Sequence, residues 1–138
     1  MSTLKHYHIE SSVGKFELRF EDDYLQRKDI IVDPSMFKHL CVALSNQIVS
    51  YKEEHGIIDI TENQSAKKQM GAYYDQKELI AYQIDYTSIE FKITLTIKSF
   101  ISSEEYVLNA EPGIAKLFVI DCSNAIIQYE EMYGTIEL

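Results

Sequence analysis

The chain has 138 residues, 46% of them hydrophobic, and 13 basic against 22 acidic side chains give it a net charge of -9. That length suits one domain with a core large enough to fold without disulfides or metal. The charge argues against a strong grip on nucleic acid, because phosphate neutralisation needs clustered cations and Arg19 and Arg27 are the only arginines.

Residues 15–20 read K-F-E-L-R-F, an alternation that puts Phe16, Leu18 and Phe20 on one strand face. Residues 7–10 are expected to pair with it through a turn at 11–14. Glu21, Asp22 and Asp23 follow as an acidic turn, and residues 29–32 as a short apolar strand. Asp33-Pro34 then opens a helix. An aspartate can accept the orphan N–H groups of the first turn, and proline at the first helical position gives up no hydrogen bond. Phe37, Leu40, Cys41, Leu44, Ile48 and Tyr51 recur at spacings of three and four on one stripe, and Gly56 supplies the stop. Residues 57–61 read as a strand and 62–68 as a loop, with weaker strands at 70–74 and 79–85. From 89 to 98 the alternation returns, with Ile89, Phe91, Ile93, Leu95 and Ile97 facing one way. A turn at 102–105 and a short strand at 106–109 follow.

The next stretch, I-A-K-L-F-V-I-D-C from Ile114, is ambiguous by periodicity because Val119 and Ile120 favour strands. An internal repeat resolves it. Displaced by 78 residues, positions 34–58 align without a gap on 112–136, and nine of the 25 positions are identical. They include Pro34/Pro112, Lys38/Lys116, Ser45/Ser123, Asn46/Asn124, Tyr51/Tyr129 and Gly56/Gly134. Start signal, stop signal and apolar stripe coincide, so a second helix is expected. The fold expected is α+β: tandem duplicated strand-meander-plus-helix units, with an antiparallel sheet carrying two long helices on one face about a pseudo-twofold. It is expected to form a single domain over 1–138, with pseudo-repeats about 1–60 and 61–138 and helices about 34–55 and 112–133.

The residues shared by the two helices, a proline, a lysine four on, and I-x2-Y-x-E-x2-G at the end, resemble a family of short bacterial proteins of unknown function whose members end in such a helix. In this sequence Lys38 and Lys116 stand where that motif has its lysine, and Tyr51 to Gly56 and Tyr129 to Gly134 match its end. The match covers about a quarter of the chain in each copy. The family typically has one copy where this chain has two, and the resemblance implies a fold but no activity. At the level of topology alone, strands followed by a helix, twice over, also resemble the Whirly and PUR single-strand nucleic-acid binders.

No triad context, phosphate loop or metal-ligand spacing appears, and neither an enzyme nor a metal or other cofactor is expected. His6 and His8 share a strand face without a third ligand at a fixed offset. Cys41 and Cys122 lie in apolar stretches and read as buried free thiols. Residues 1–10 are polar and no apolar run approaches a membrane span, so the protein is expected to be cytoplasmic with no membrane partner. Ten tyrosines, six phenylalanines and the acidic charge point to a protein-binding module, most concretely an inhibitor or immunity-type protein occluding a basic partner. The residues expected to meet that partner are Glu21, Asp22, Asp23, Tyr73, Tyr74, Glu104, Glu105 and Tyr106. Ser45, Asn46, Ser123 and Asn124, repeated mid-helix, are expected to pair the helices or to contact a partner. The alternatives are a single-stranded nucleic-acid-binding protein on the sheet face and a structural or assembly subunit, as a homodimer or as a monomer with a pseudo-twofold.

Overall fold

Three strands, β1 (Leu4–Ser12), β2 (Lys15–Asp22) and β3 (Arg27–Val32), run into a 22-residue helix, α1 (Pro34–His55). A 3-10 helix (Thr61–Ala66) follows. Three more strands, β4 (Gln76–Tyr86), β5 (Phe91–Lys98) and β6 (Ser103–Ala110), then run into α2 (Pro112–Tyr133), also of 22 residues. The structure is a computed structural model and describes residues 2–72 and 75–138. The class is α+β, with six strands in one sheet in the order β1-β2-β3-β4-β5-β6.

The sheet is mixed, which corrects the expectation of a purely antiparallel one. Within each group of three, neighbours are antiparallel, but β4 runs parallel to β3, with Asp29, Ile30 and Ile31 paired to Gln76, Lys77 and Glu78. The cause is the connection. A tight turn reverses direction, whereas the chain from 33 to 75 is a long crossover that carries α1 and returns to the end of the sheet where β3 began. An isolated parallel bridge from Thr3 to Asn109 sets β1 beside β6, so the sheet curls until its first and last strands meet.

Both helices rest on the face that carries the alternating apolar residues. Phe37 of α1 stacks on Phe16 at 4.0 Å between centroids, and Tyr129 of α2 packs on the same ring at 5.0 Å. Tyr51 of α1 meets Phe91 of β5, and Phe118 of α2 meets Tyr7 and Phe20. Each such ring pair is worth about 0.5–1.5 kcal/mol beyond the area it buries. The helices run antiparallel to each other, with Lys38 early in α1 donating to Glu130 late in α2 at 2.9 Å and Cys41 Sγ 3.5 Å from Ser123 Oγ. Cys41 and Cys122 are both buried and free.

The helix ends have local causes. The Asp33 side chain accepts the Ser35 N–H at 3.1 Å, and Pro34 and Pro112 occupy the first helical positions. Gly56 at φ 94° and Gly134 at φ 98° end the two helices in a backbone region that side chains disfavour. Val119 and Ile120 are helical, so their strand preference is overridden by the stripe that packs on the sheet.

Several boundaries differ from expectation. Residues 57–60 are irregular rather than a strand, because Asp59 Oδ1 accepts both the N–H and the hydroxyl of Thr61 and starts the 3-10 helix. Ile89 lies in the β4–β5 turn, 74% exposed, while Phe91, Ile93, Leu95 and Ile97 face the core. The strand expected over 70–74 is irregular at 70–72, and its remaining residues lie outside the described ones.

The crossover also builds a second buried layer, on the sheet face away from the helices. Lys68 donates its N–H to the Tyr7 carbonyl at the edge of β1. The chain then crosses the outer face, where the Met70 carbonyl accepts from Arg19 at 2.7 Å and the Gly71 carbonyl from Arg27 at 2.6 Å. Arg19, only 3% exposed, also donates to Glu10 and Glu17 and lies 3.5 Å from Asp29. His8 lies against this cluster. Burial, aided by the Arg19 charge, holds its pKa below the usual histidine value.

Candidate functional site

Two turns distant in sequence lie at the same end of the sheet, where β3, β4 and β6 begin. In the first, between β2 and β3, Asp22 is buried and its Oδ1 accepts the N–H groups of Tyr24 at 2.8 Å and Gln26 at 2.9 Å. A carboxylate that satisfies turn amides in this way fixes a tight reversal. The reversal forces Leu25 to φ 64°, the single described non-glycine residue at positive φ. Asp23 accepts the Thr3 N–H at 3.0 Å, and Glu21 lies 3.4 Å from Lys68. Of the three acidic residues expected to form this turn, Glu21 and Asp22 therefore belong to β2, and only Asp23 is exposed.

The second turn, between β5 and β6, closes earlier than expected, through the Ser99 N–H on the Ser102 carbonyl at 2.9 Å. Glu104 and Glu105 consequently stand in β6 rather than in the turn. Glu104 accepts from Lys77 at 2.6 Å and Lys28 at 2.9 Å, so one carboxylate joins β3, β4 and β6 across the curled sheet. Those bonds, Lys77 first, hold the Glu104 carboxyl below its usual range, and the bond to Glu104 holds the Lys77 ammonium above its own. Tyr106 is half-buried beneath them, with the Lys28 ammonium 5.8 Å from its ring centre and Phe20 6.5 Å away. Burial, then the nearby Asp22 charge, pushes its hydroxyl pKa up. A cavity of about 290 Å³ opens here between Asp22, Gln26, Lys28 and Tyr106.

No family model, curated protein or solved structure matches this chain.

Asp22, Glu104 and Tyr106, up to 84 positions apart, meet at this one end because β6 curls round beside β1. Tyr73 and Tyr74 lie outside the described residues. Ser45 and Ser123 are half-buried on the helices, Ser123 facing Cys41, while Asn46 and Asn124 are exposed. His6 contacts the Ser65 carbonyl at 3.1 Å, and among the described residues no group of three or more His, Cys, Asp or Glu is arranged to hold a metal ion. No helix among them is long and apolar enough to cross a membrane.

Sequence reasoning passed over the residues that project furthest here. Tyr24 and Leu25 at the first turn are 67% and 78% exposed, and Phe100 and Ile101 at the second are 104% and 90% exposed. The signal was present, since Y-L-Q and S-F-I-S place large apolar side chains inside segments that otherwise read as turns. Alternation finds buried faces and gives no weight to apolar residues that interrupt a turn.

Proposed function

We propose that the chain is a non-catalytic, acidic protein-binding module of the inhibitor or immunity type, which covers a basic partner with the end of the sheet that carries both turns. The observation that carries this reading is the set of four large apolar side chains at the turn tips. Scattered exposed residues need no explanation, but apolar pairs on two turns at one end of the sheet, with Asp23 and Glu105 exposed at that end, have the make-up of an interface. Tyr24, Leu25, Phe100 and Ile101 serve as anchors that lose water on contact. The overall charge of -9 speeds encounter with a cationic surface. The single-strand nucleic-acid reading has less support, because Lys28 and Lys77 at this end both already donate to Glu104.

Calorimetric titration against a panel of small basic proteins, nucleases included, at low and high salt tests the proposal. Binding that weakens with salt is expected, and replacing Phe100 and Ile101 together by serine should weaken it roughly a hundredfold or more, the scale of two anchor residues. Binding that ignores salt and survives the double replacement sinks the reading.

We infer also that the chain is a tandem duplication with a pseudo-twofold. Supporting it, beside the identities between residues 34–58 and 112–136, are two reciprocal bonds. Lys38 donates to the Ile136 carbonyl and Lys116 to the Ile58 carbonyl, each at 2.9 Å and each pair displaced by 78 positions. Likewise Tyr51 donates to Ser88 in the β4–β5 turn, and Tyr129 accepts from Gly14 in the β1–β2 turn. A crystal structure in which one rotation superposes the helices but leaves the strands apart would dispose of the symmetry.

A further inference from the structure

β4 is the longest strand, at 11 residues, yet only Gln76, Lys77 and Glu78 pair with β3. Beyond Val32 the chain leaves the sheet for α1, so residues 79–86 have β5 on one side and no strand on the other among the described residues. An unpaired edge presents a row of N–H and C=O groups to any other strand, and proteins usually guard it with lysine, proline or a covering segment. Residues 79–86, L-I-A-Y-Q-I-D-Y, hold neither lysine nor proline. A helix on the inner face does not by itself close such an edge. Tyr7 of β1 lies under α2, touching Phe118 and donating to Asp121, yet its backbone pairs with the extended Lys67–Lys68 segment.

We propose that residues 81–85 of β4 pair antiparallel with the same residues of a second copy, about a twofold axis at Gln83, so that two six-stranded sheets join edge to edge. The segment is complementary to itself. With the axis at Gln83, Ala81 stands opposite Asp85 of the other copy and Tyr82 opposite Ile84, and the register shift between Leu79 and Ala81 marks the end of the regular stretch. Asp85 is the one charged residue of the segment, and it falls opposite an alanine rather than its own copy, so no like charges meet. Tyr82 and Ile84, half-buried against the core, continue the apolar face across the junction, while Ala81, Gln83 and Asp85 stay on the exposed face. An isologous contact of this kind closes as a dimer and leaves no further edge of the same type open.

Sedimentation equilibrium of the full chain over a range of concentration and salt tests this. A dimer is expected. Because each copy carries -9, the dimer should tighten as salt rises, the opposite of the response expected for a basic partner at the turn end. Ala81→Asp sets a carboxylate opposite Asp85 twice in each dimer. It should weaken association up to roughly 25-fold, on a scale of about fivefold for each like-charge cross-strand pair. Ala81→Lys at the same exposed position should tighten association, with the monomer's thermal melt unchanged in both variants. Tyr24→Ser with Leu25→Ser, on the β2–β3 turn, should leave dimerisation alone, which separates this edge from the turn end. A chain that stays monomeric at every concentration overturns the proposal. So does a dimer that responds to neither Ala81 replacement, or to both in the same direction.

Discussion

Arg19 offers the sharpest test of how the crossover is held to the sheet. Its guanidinium faces four oxygens, on Met70, Glu10 and Glu17 at 2.6–2.8 Å and on Asp29 at 3.5 Å. Arg19→Met keeps much of the volume and removes the charge. Asp29, whose side chain is 1% exposed, then keeps Arg27 at 3.0 Å, and Glu17 keeps Lys15 at 3.0 Å. Removing one partner of a buried ion pair costs about 3–5 kcal/mol, and because two of the three carboxylates retain a cation the cost here should fall near the lower figure. For a chain of this length, about 3 kcal/mol corresponds to a fall in Tm of roughly 10 °C. Urea unfolding measures the loss, and limited proteolysis at Gln69 to Ala72 shows whether the crossing segment lifts when the Met70 carbonyl loses its donor. Arg19→Lys should be intermediate, since an ammonium keeps the charge without the planar fork. A loss under about 1 kcal/mol with unchanged cleavage would refute the claim that this buried network secures the crossover.

Gly56→Ala and Gly134→Ala should each cost about 1–3 kcal/mol in urea unfolding, because φ of 94° and 98° with an extended ψ is open to little but glycine. An added Cβ meets nothing within 4 Å at either position, so the whole effect is backbone strain. Stability should be greatest between about pH 6.5 and 10. As pH falls below 6.5 the unfolded chain protonates at His8 before the folded one does, and stability declines. His8→Gln should remove that first decline. Glu17, Glu104 and Glu130 have folded pKa values below their ordinary 4.5, so the stability they confer is complete above pH 4.5 and is lost on further acidification. For Glu17, burial opposes this shift, and the bond and charge of Lys15 with those of Arg19 outweigh it. On the alkaline side Tyr7 and Tyr106, raised chiefly by burial, resist ionisation in the fold while the unfolded chain ionises near pH 10, so stability falls again. Equilibrium unfolding across pH measures both limbs.

The site was half legible. Asp22, Glu104 and Tyr106 are residues that a search for acidic and aromatic positions finds, and the curled sheet brings them to one end. Their roles there differ from what side-chain type suggests. Asp22 holds its own turn together, and Glu104 binds two lysines rather than projecting its charge. Whether a carboxylate is free depends on which cations arrive from other strands, and Lys28 and Lys77 arrive from β3 and β4 through pairings that span the chain.

What the sequence determined alone is what local physics controls. Capping at Asp33-Pro34, the glycine stops, the three-and-four spacing and the alternation of β2 and β5 are short-range signals, and the repeat extends the helix to Pro112–Tyr133 where residue preference pointed to a strand. The parallel β3–β4 junction, the burial of Arg19 beneath the Met70 segment and the unpaired edge of β4 were decided by tertiary structure only. Each depends on where a 43-residue crossover, from 33 to 75, brings the chain back to the sheet. Such a return is set by the joint packing of distant elements, and the residues on either side of it carry no local trace of the outcome.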